Sequence, residues 1–537
     1  MKNILKLAKE LAIEEDKIIP YGWDKAKIAL TADDLRDKKD GKYVLVTSAL
    51  NANAAGEGKT STEIGLNDAL RRIGVNSIAC LREPSQGVSY GNKGPAHGAL
   101  KARVIPDAID YHFTGDIHAL TYTINSIAAQ IDNVIYQGNE LNIDPDKIVW
   151  NRAIDICDRA LRDVTVMQGD KKGTPHKCEF VITVAHELST IATLATSEED
   201  FINRTKKAIV AYTFDNKPVT VGDLHMTKAI RNMMHEALMP NLVQSLEENP
   251  VFIAGLPFAN ISIGTNAVIA TKLAQKLADV VLVESGFGSD CGGEKNLDLV
   301  CPVADINPSA IVAVCSCRSL KLHGGQDKDE LDKENVQAVK DGLCNLEAHI
   351  NHLCQYNLPL VIAINRFSFD TDAELKVITD FLDSKNCRYA FSEAPLKGSE
   401  GSVKLAETLM NAIAEGEKCN CLLETLYKPE WSIKDKISAI CKKCYGTNYV
   451  EYSELAEAQI ADYEARGYSE FPICISKTPA SITEDPKVLG APKDFTIHIR
   501  EVRLFAGAGF IVPLSGSLLM LPGLGKVPRL SDSYTSK

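Results

Sequence analysis

Residues 43–73 read YVLVTSALNANAAGEGKTSTEIGLNDALRRI. The opening YVLVTSAL (43–50) is a continuous apolar run of strand length, and TEIGLNDALRRI (62–73) carries apolar residues at helical spacing. Between them stands Asn53-Ala54-Ala55-Gly56-Glu57-Gly58-Lys59-Thr60. Glycines there let backbone amides turn toward a phosphate, and a helix that starts just after adds the positive end of its dipole. A lysine beside the second glycine can reach β- and γ-phosphates, and the hydroxyl that follows can hold Mg²⁺. The full G-x-x-x-x-G-K-[ST] pattern wants glycine where this chain has Asn53. A bare G-K-T means little; a strand before it and a helix after it make residues 53–60 the expected ATP-binding loop, with Thr60 as the Mg²⁺ ligand. The bland alternative is a glycine-capped turn with an exposed lysine.

Working outward, strand-like runs recur between helical stretches: NSIACLRE (76–83), EFVITVA (179–185), VVLVES (280–285), IVAVCSC (311–317) and LPLVIAIN (358–365). Uninterrupted apolar strands that alternate with helices imply an α/β fold with a parallel sheet covered on both faces. The expected architecture is a P-loop NTPase-like parallel sheet flanked by helices, with two smaller α/β domains. Residues 319–339 are polar and read as a loop entering an exposed helix, which sets a boundary near 345. A second boundary follows CYG near 445. The expected domains are 1–345, nucleotide-binding and catalytic; 346–445, contributing to a second substrate pocket; and 446–537, a C-terminal α/β unit.

Glycine-rich sequence also follows the second strand, from Arg82-Glu83-Pro84-Ser85-Gln86-Gly87 to Gly94. Arg82 falls at a strand's carboxyl end, where ligands bind in open α/β sheets. Its planar guanidinium can clamp an acyl phosphate or carboxylate, or form an interdomain salt bridge. Next, Tyr111-His112-Phe113-Thr114-Gly115-Asp116-Ile117-His118 sets two histidines around a turn.

The chain has 537 residues, 45% hydrophobic and 24% charged, with net charge -12. That balance gives no reason to expect nucleic acid or an anionic membrane as partner. The most apolar stretch, Phe510–Leu524, is broken by Pro513, Gly516 and Pro522 and is short of the ~20 residues a membrane helix needs. MKNILKLAKELAIEEDKIIP reads as an amphipathic helix, neither a secretory signal nor a transit peptide, so a cytoplasmic location is expected. Fifteen cysteines are an odd number in a long chain and do not suggest a disulfide scaffold. Cys419, Cys421, Cys441 and Cys444 have a spacing that zinc could use. Cys441 and Cys444, however, share the apolar face of SIKDKISAICKKCYG with Ile433, Ile437 and Ile440, which favours packing.

These motifs resemble the formate–tetrahydrofolate ligase family along nearly the whole chain: IIPYGWDKAKI (18–28), AGEGKTST (55–62), LREPSQG (81–87), HFTGDIHA (112–119), PFANISIGTNAVIATK (257–272), SGFGSDCGGEK (285–295), RSLKLHGG (318–325), INRFSFDTDAEL (364–375) and REVRLFAGAGFIVPLSG (500–516). The resemblance implies a two-step reaction. ATP phosphorylates formate to formyl phosphate, and N10 of tetrahydrofolate takes the formyl group and expels phosphate. By the same resemblance Lys59, Arg82 and His112 are catalytic, with Arg82 on formyl phosphate. Asn53, Ala54, Ala55, Gly56, Glu57, Gly58, Lys59 and Thr60 bind ATP, Thr60 holds Mg²⁺, and Glu83 associates with a monovalent cation. Phe287 and Phe367 match the family's folate-pocket phenylalanines, and bacterial members imply a homotetramer.

Departures cluster near the implied chemistry. The family's T-P before the loop is Asn53-Ala54, and its G-I-K-G-G-A-A-G-G-G is Gly91–Leu100, with Pro95, Ala99 and Leu100 replacing glycines. Family histidines are Ala254, Ile263 and Val134. The tryptophan of S-E-x-W-A-x-G-G, which stacks on the pterin, is Pro395, so the folate pocket loses one aromatic face. Three readings stay open: an active ligase with a remodelled folate pocket, an ATP-dependent enzyme with another acid or acceptor, and a non-catalytic paralogue.

Overall fold

The computed structural model describes residues 1–52, 56–93, 97–169, 171, 173–255, 263–516 and 520–531. Asn53, Ala54 and Ala55 of the phosphate loop lie outside them, as do Pro95 and residues 256–262.

One sheet of twelve strands organises the fold. In chain order these are β1 (Ile18–Pro20), β2 (Ala26–Ile28), β3 (Lys42–Ser48), β4 (Ser77–Leu81), β5 (Gly98–Ala99) and β6 (Ala102–Ile105). They continue as β7 (Asn241–Ser245), β8 (Pro250–Ile253), β9 (Val280–Gly288), β10 (Pro308–Cys315), β11 (Leu360–Asn365) and β12 (Arg388–Ser392). The spatial order is β1-β2-β7-β8-β4-β9-β3-β10-β11-β12, with β6 on β7 and β5 on β6. From β8 to β12 the neighbours are all parallel. β1, β2, β7 and the β5–β6 hairpin add an antiparallel margin.

Helices cover both faces, which is why the parallel strands read as unbroken apolar runs. On one face α2 (Lys59–Arg72) and α7 (Val403–Cys419) bury Leu66, Ala69, Leu405 and Leu409 against Val44, Val46, Val312 and Ala363. On the other, α5 (Val336–Leu353) and α6 (Asp372–Ser384) bury Leu346, Ile350, Ile378 and Leu382 in the cluster that holds Tyr43, Leu45, Ile311 and Ile362. The period-two alternation of β3 sends successive side chains to opposite cores. The N-terminal α1 (Ile4–Glu10) and the long α3 (Asp116–Tyr136) join the same second cluster. Among the described residues no helix is long and apolar enough to cross a membrane. The apolar Phe510–Ser515 is instead β15 of a three-stranded sheet with β13 (Tyr449–Tyr452) and β14 (Thr496–Phe505).

Two expectations change, and the central sheet extends past a third, the boundary near 345. LPLVIAIN is β11 and pairs in parallel with β10, so the central sheet runs through the boundary expected near 345. The helix-rich stretch that follows hides this in sequence, because α5 is the crossover between β10 and β11. EFVITVA contributes only Phe180–Ile182, which pairs with Arg152–Ile154 outside the central sheet. Finally, the stretch expected as a loop after residue 319 begins inside α4 (Cys317–His323), which Ser316 caps by accepting the Ser319 N–H.

Helix α4 lies very close to α5. A Cβ at Gly342 would sit 2.0 Å from the Leu320 carbonyl oxygen, and one at Gly324 1.9 Å from that of Ala338. Both obstacles are backbone, so the helices themselves would have to separate. Gly342→Ala is expected to lower stability by about 1–3 kcal/mol through overpacking. An unchanged thermal midpoint would show that the crossing tolerates a methyl group.

Candidate active site at the carboxyl ends of the parallel strands

The loop expected to bind phosphate joins β3 to α2. Gly58, just before Lys59, has φ +78°, and a Cβ there would fall 2.2 Å from Asn365 Nδ2. Only glycine fits, because Asn365 at the end of β11 donates that amide to the Glu57 carbonyl at 2.9 Å. Lys59 opens α2, with its ammonium 3.1 Å from the buried Glu57 carboxylate. The root of the loop is equally fixed. Asn51 donates its N–H to Asn345 Oδ1 at 3.2 Å and its side-chain amide to Asp290 at 2.9 Å, while Ala52 N–H reaches the Pro479 carbonyl at 2.9 Å.

Across the neighbouring strand β9 stands Glu284, which sequence reading missed. Its hydrogen-bond partners are the Thr60 hydroxyl on one carboxylate oxygen and Arg82 Nε, at 3.2 Å, on the other. Four apolar residues and then an acid, Val280–Glu284, form the signal that could have found it; what was missing was knowledge that β9 lies beside β3. A hydroxyl and a carboxylate side by side are two hard oxygen donors, which is the ligand chemistry Mg²⁺ selects. Glu63, one helical turn after Thr60, is fully buried, and burial together with Glu284 pushes its carboxyl well above the usual range.

Glu83 follows Arg82 into a buried polar knot. The Lys27 ammonium lies 2.6 Å from both Asp116 oxygens and 3.0 Å from the Met239 carbonyl, and Asn241 Nδ2 donates to Asp116 at 2.9 Å. Burial first, and then Asp116, drive the Glu83 carboxyl well above its ordinary range against the pull of Lys27. Its Oε2 makes no hydrogen bond. The HFTGDIH turn is anchored on this knot: Asp116 is on Lys27, the Thr114 hydroxyl donates to Asn241 at 2.6 Å, and Phe113 is buried with Ile64 and Leu81. His112 and His118 are exposed at its rim, with no hydrogen bond to another described residue.

The expected ring-binding residues sit on three strand ends. Phe287, on β9, is half-buried at φ +60°, a strained conformation for a bulky side chain. Phe367, beyond β11, stacks on Phe369 with ring centres 5.4 Å apart and planes 5° from parallel; Phe369 was not singled out from sequence. Pro395 follows β12 in a helical turn whose Ala394 packs on Gly65 of α2, and its carbonyl accepts the Lys101 N–H at 3.1 Å. Behind the phenylalanines, Cys317, Asp370 and Glu374 converge closely enough to hold a metal. Lys321 already pairs with one of the three, its ammonium 3.0 Å from Glu374, whose oxygens also take the Asn335 and Thr371 N–H groups. Cys441 and Cys444 are buried in the core and Cys419 is exposed.

A model of the formate–tetrahydrofolate ligase family matches residues 1–534. The chain belongs to that family. Its members are ligases that join formate to tetrahydrofolate with ATP.

Against the family pattern, several departures have a local physical account. Leu100 takes φ +49° in the β5–β6 turn, a conformation glycine adopts without strain. His97 is hydrogen-bonded to Asp110, and that bond raises its pKa. Ala254 is buried in a small cluster with Ala267 and Ala270, and Ile263 is buried in the main apolar core. A cavity of about 1060 Å³ opens elsewhere, lined by Trp150, Tyr212, Tyr463 and Phe505. Lys59, Arg82 and Glu284 are not among its walls.

Proposed function

We propose that this family member is an active formate–tetrahydrofolate ligase that works through formyl phosphate on a P-loop NTPase-like sheet. The observation that carries the reading is the Thr60–Glu284–Arg82 contact beside Lys59. In the first step a formate oxygen attacks the γ-phosphorus of ATP, and ADP leaves with the bridging electron pair. Lys59 follows the charge on the transferring group, and Arg82 clamps the acyl phosphate formed. Mg²⁺ held by Thr60 and Glu284 would neutralise charge on the β- and γ-phosphates. In the second step the N10 amine of tetrahydrofolate attacks the formyl carbon, the carbon–oxygen bond to phosphate breaks, and N10 gives up a proton. His112 and His118 are the exposed imidazoles available to take it. The unused Glu83 oxygen is the atom a monovalent cation would meet, Lys27 having already neutralised Asp116.

A second reading, ATP chemistry with a different acceptor, is favoured by Pro395 where the family has a tryptophan. One assay separates the two. Purified protein receives MgATP, formate and tetrahydrofolate, and 10-formyltetrahydrofolate is read after acid conversion to the methenyl form. Product is expected; formate-dependent ADP release without folate product would overturn the ligase reading and leave the second. In the same assay Glu284→Gln is expected to raise the Mg²⁺ concentration for half-maximal rate by roughly tenfold or more. An unaltered Mg²⁺ profile would remove Glu284 from the metal.

A further inference from the structure

Arg318 is unlike the other cations of the crevice. It is the second residue of α4, just past the end of β10, the strand between β3 and β11. It therefore stands between the phosphate loop and the turn that carries Phe367 and Phe369. Its guanidinium carbon lies 5.8 Å from the centre of the Phe369 ring. Lys59 is paired with Glu57, Arg82 with Glu284, Lys321 with Glu374 and Arg366 with Asp372. Arg318 makes no hydrogen bond or ion pair with a described residue, and its Nε is buried without a partner. A buried unsatisfied donor needs an explanation, and five fixed donors with none in use among the described residues are a preformed receptor for a planar or tetrahedral oxyanion.

We propose that Arg318 binds an anionic oxygen group, carboxylate or phosphate, of a substrate whose ring lies against the Phe367–Phe369 stack. The substrates follow from the proposed function, on which this inference rests: tetrahydrofolate carries glutamate carboxylates and ATP carries phosphates. The anion is a different one from the acyl phosphate at Arg82. β4, β9, β3 and β10 are successive neighbours, so the two arginines are rooted about 14 Å apart at ~4.8 Å per strand. The stack holds the guanidinium in place by cation–π attraction, so its fork is oriented before the anion arrives.

The test compares wild type, Arg318→Gln and Arg318→Lys by equilibrium binding of MgATP, tetrahydrofolate and tetrahydropteroate, which lacks the glutamate. Arg318→Gln is expected to weaken one of the two substrates at least tenfold, and Arg318→Lys to recover only part. Loss for tetrahydrofolate, with its preference over tetrahydropteroate erased, assigns the carboxylate; loss for MgATP assigns the phosphate. The thermal midpoint should not fall, since the side chain holds no other described residue by hydrogen bonds. Unchanged affinity in both arms overturns the proposal, as does an equal loss in both arms with a lowered midpoint. Binding is read without turnover, so a protein that binds MgATP yet makes no formyltetrahydrofolate defeats the ligase reading while the nucleotide arm still decides Arg318.

Discussion

Lys59→Ala is expected to cut formate- and tetrahydrofolate-dependent product formation by on the order of 10³-fold at saturating MgATP, with little change in thermal midpoint. Lys59 is the first residue of α2, and its ammonium touches the Glu57 carboxylate. That contact fixes the side chain across its own loop without making it part of the apolar core. Removing it leaves α2 intact, because Gly58 and Asn365 still hold the turn. What is lost is a positive charge that follows the phosphoryl group as it moves, and such charge acts on the rate more than on ground-state binding. The expected signature is therefore a fall in kcat with a smaller rise in KM for ATP. A variant within tenfold of wild type would place phosphoryl transfer elsewhere, and a variant with lost activity and a collapsed midpoint would make Lys59 structural. The same control excludes contaminating ligase from the assay.

The strand that carries the loop, its crossover helix and the parallel character of the sheet were all legible, because each rests on local periodicity. The placement of Lys59 and Thr60 at a helix start and of Arg82 at a strand end was legible for the same reason. Glu284 was not, although the run before it is plain, since its meaning depends on β9 being the neighbour of β3 across more than two hundred residues. Phe369 was passed over because one aromatic in a turn has no periodicity, and only coordinates show it parallel to Phe367. That the central sheet continues past residue 345 was hidden because composition marks the polar surface of a crossover as readily as the edge of a unit.

Charged residues of the C-terminal region were the least legible, and Lys477 carries the largest expected effect on stability. In sequence it sits in ISKT (475–478), where a lysine reads as solvated. In the fold its side chain is fully buried. Its ammonium lies 2.7 Å from Asp290 Oδ2 and 3.0 Å from the Thr478 carbonyl. Burial alone would raise the Asp290 carboxyl, but Lys477 with His349 holds it below the ordinary aspartate value. A group with a depressed folded-state pKa stabilises above its unfolded pKa, and that contribution is lost as pH falls through the folded value. Lys477→Met removes the cation and leaves Asp290 buried and unpaired, at a cost of about 3–5 kcal/mol near pH 7. In that variant the acid's pKa rises instead, so the deficit relative to wild type is expected to shrink as the buffer is made acidic. Adding Asp290→Asn to Lys477→Met should recover most of the loss, because the amide oxygen still accepts the Asn51 amide and no charge remains. Asn51 is the root of the phosphate loop, so the single variant is also expected to raise KM for ATP more than KM for tetrahydrofolate. Urea midpoints at pH 5 and pH 7 for wild type, both single variants and the double variant complete the cycle. A deficit independent of pH, or a double variant no better than Lys477→Met, would mean that packing of the lysine stem rather than its charge holds the C-terminal segment against the loop.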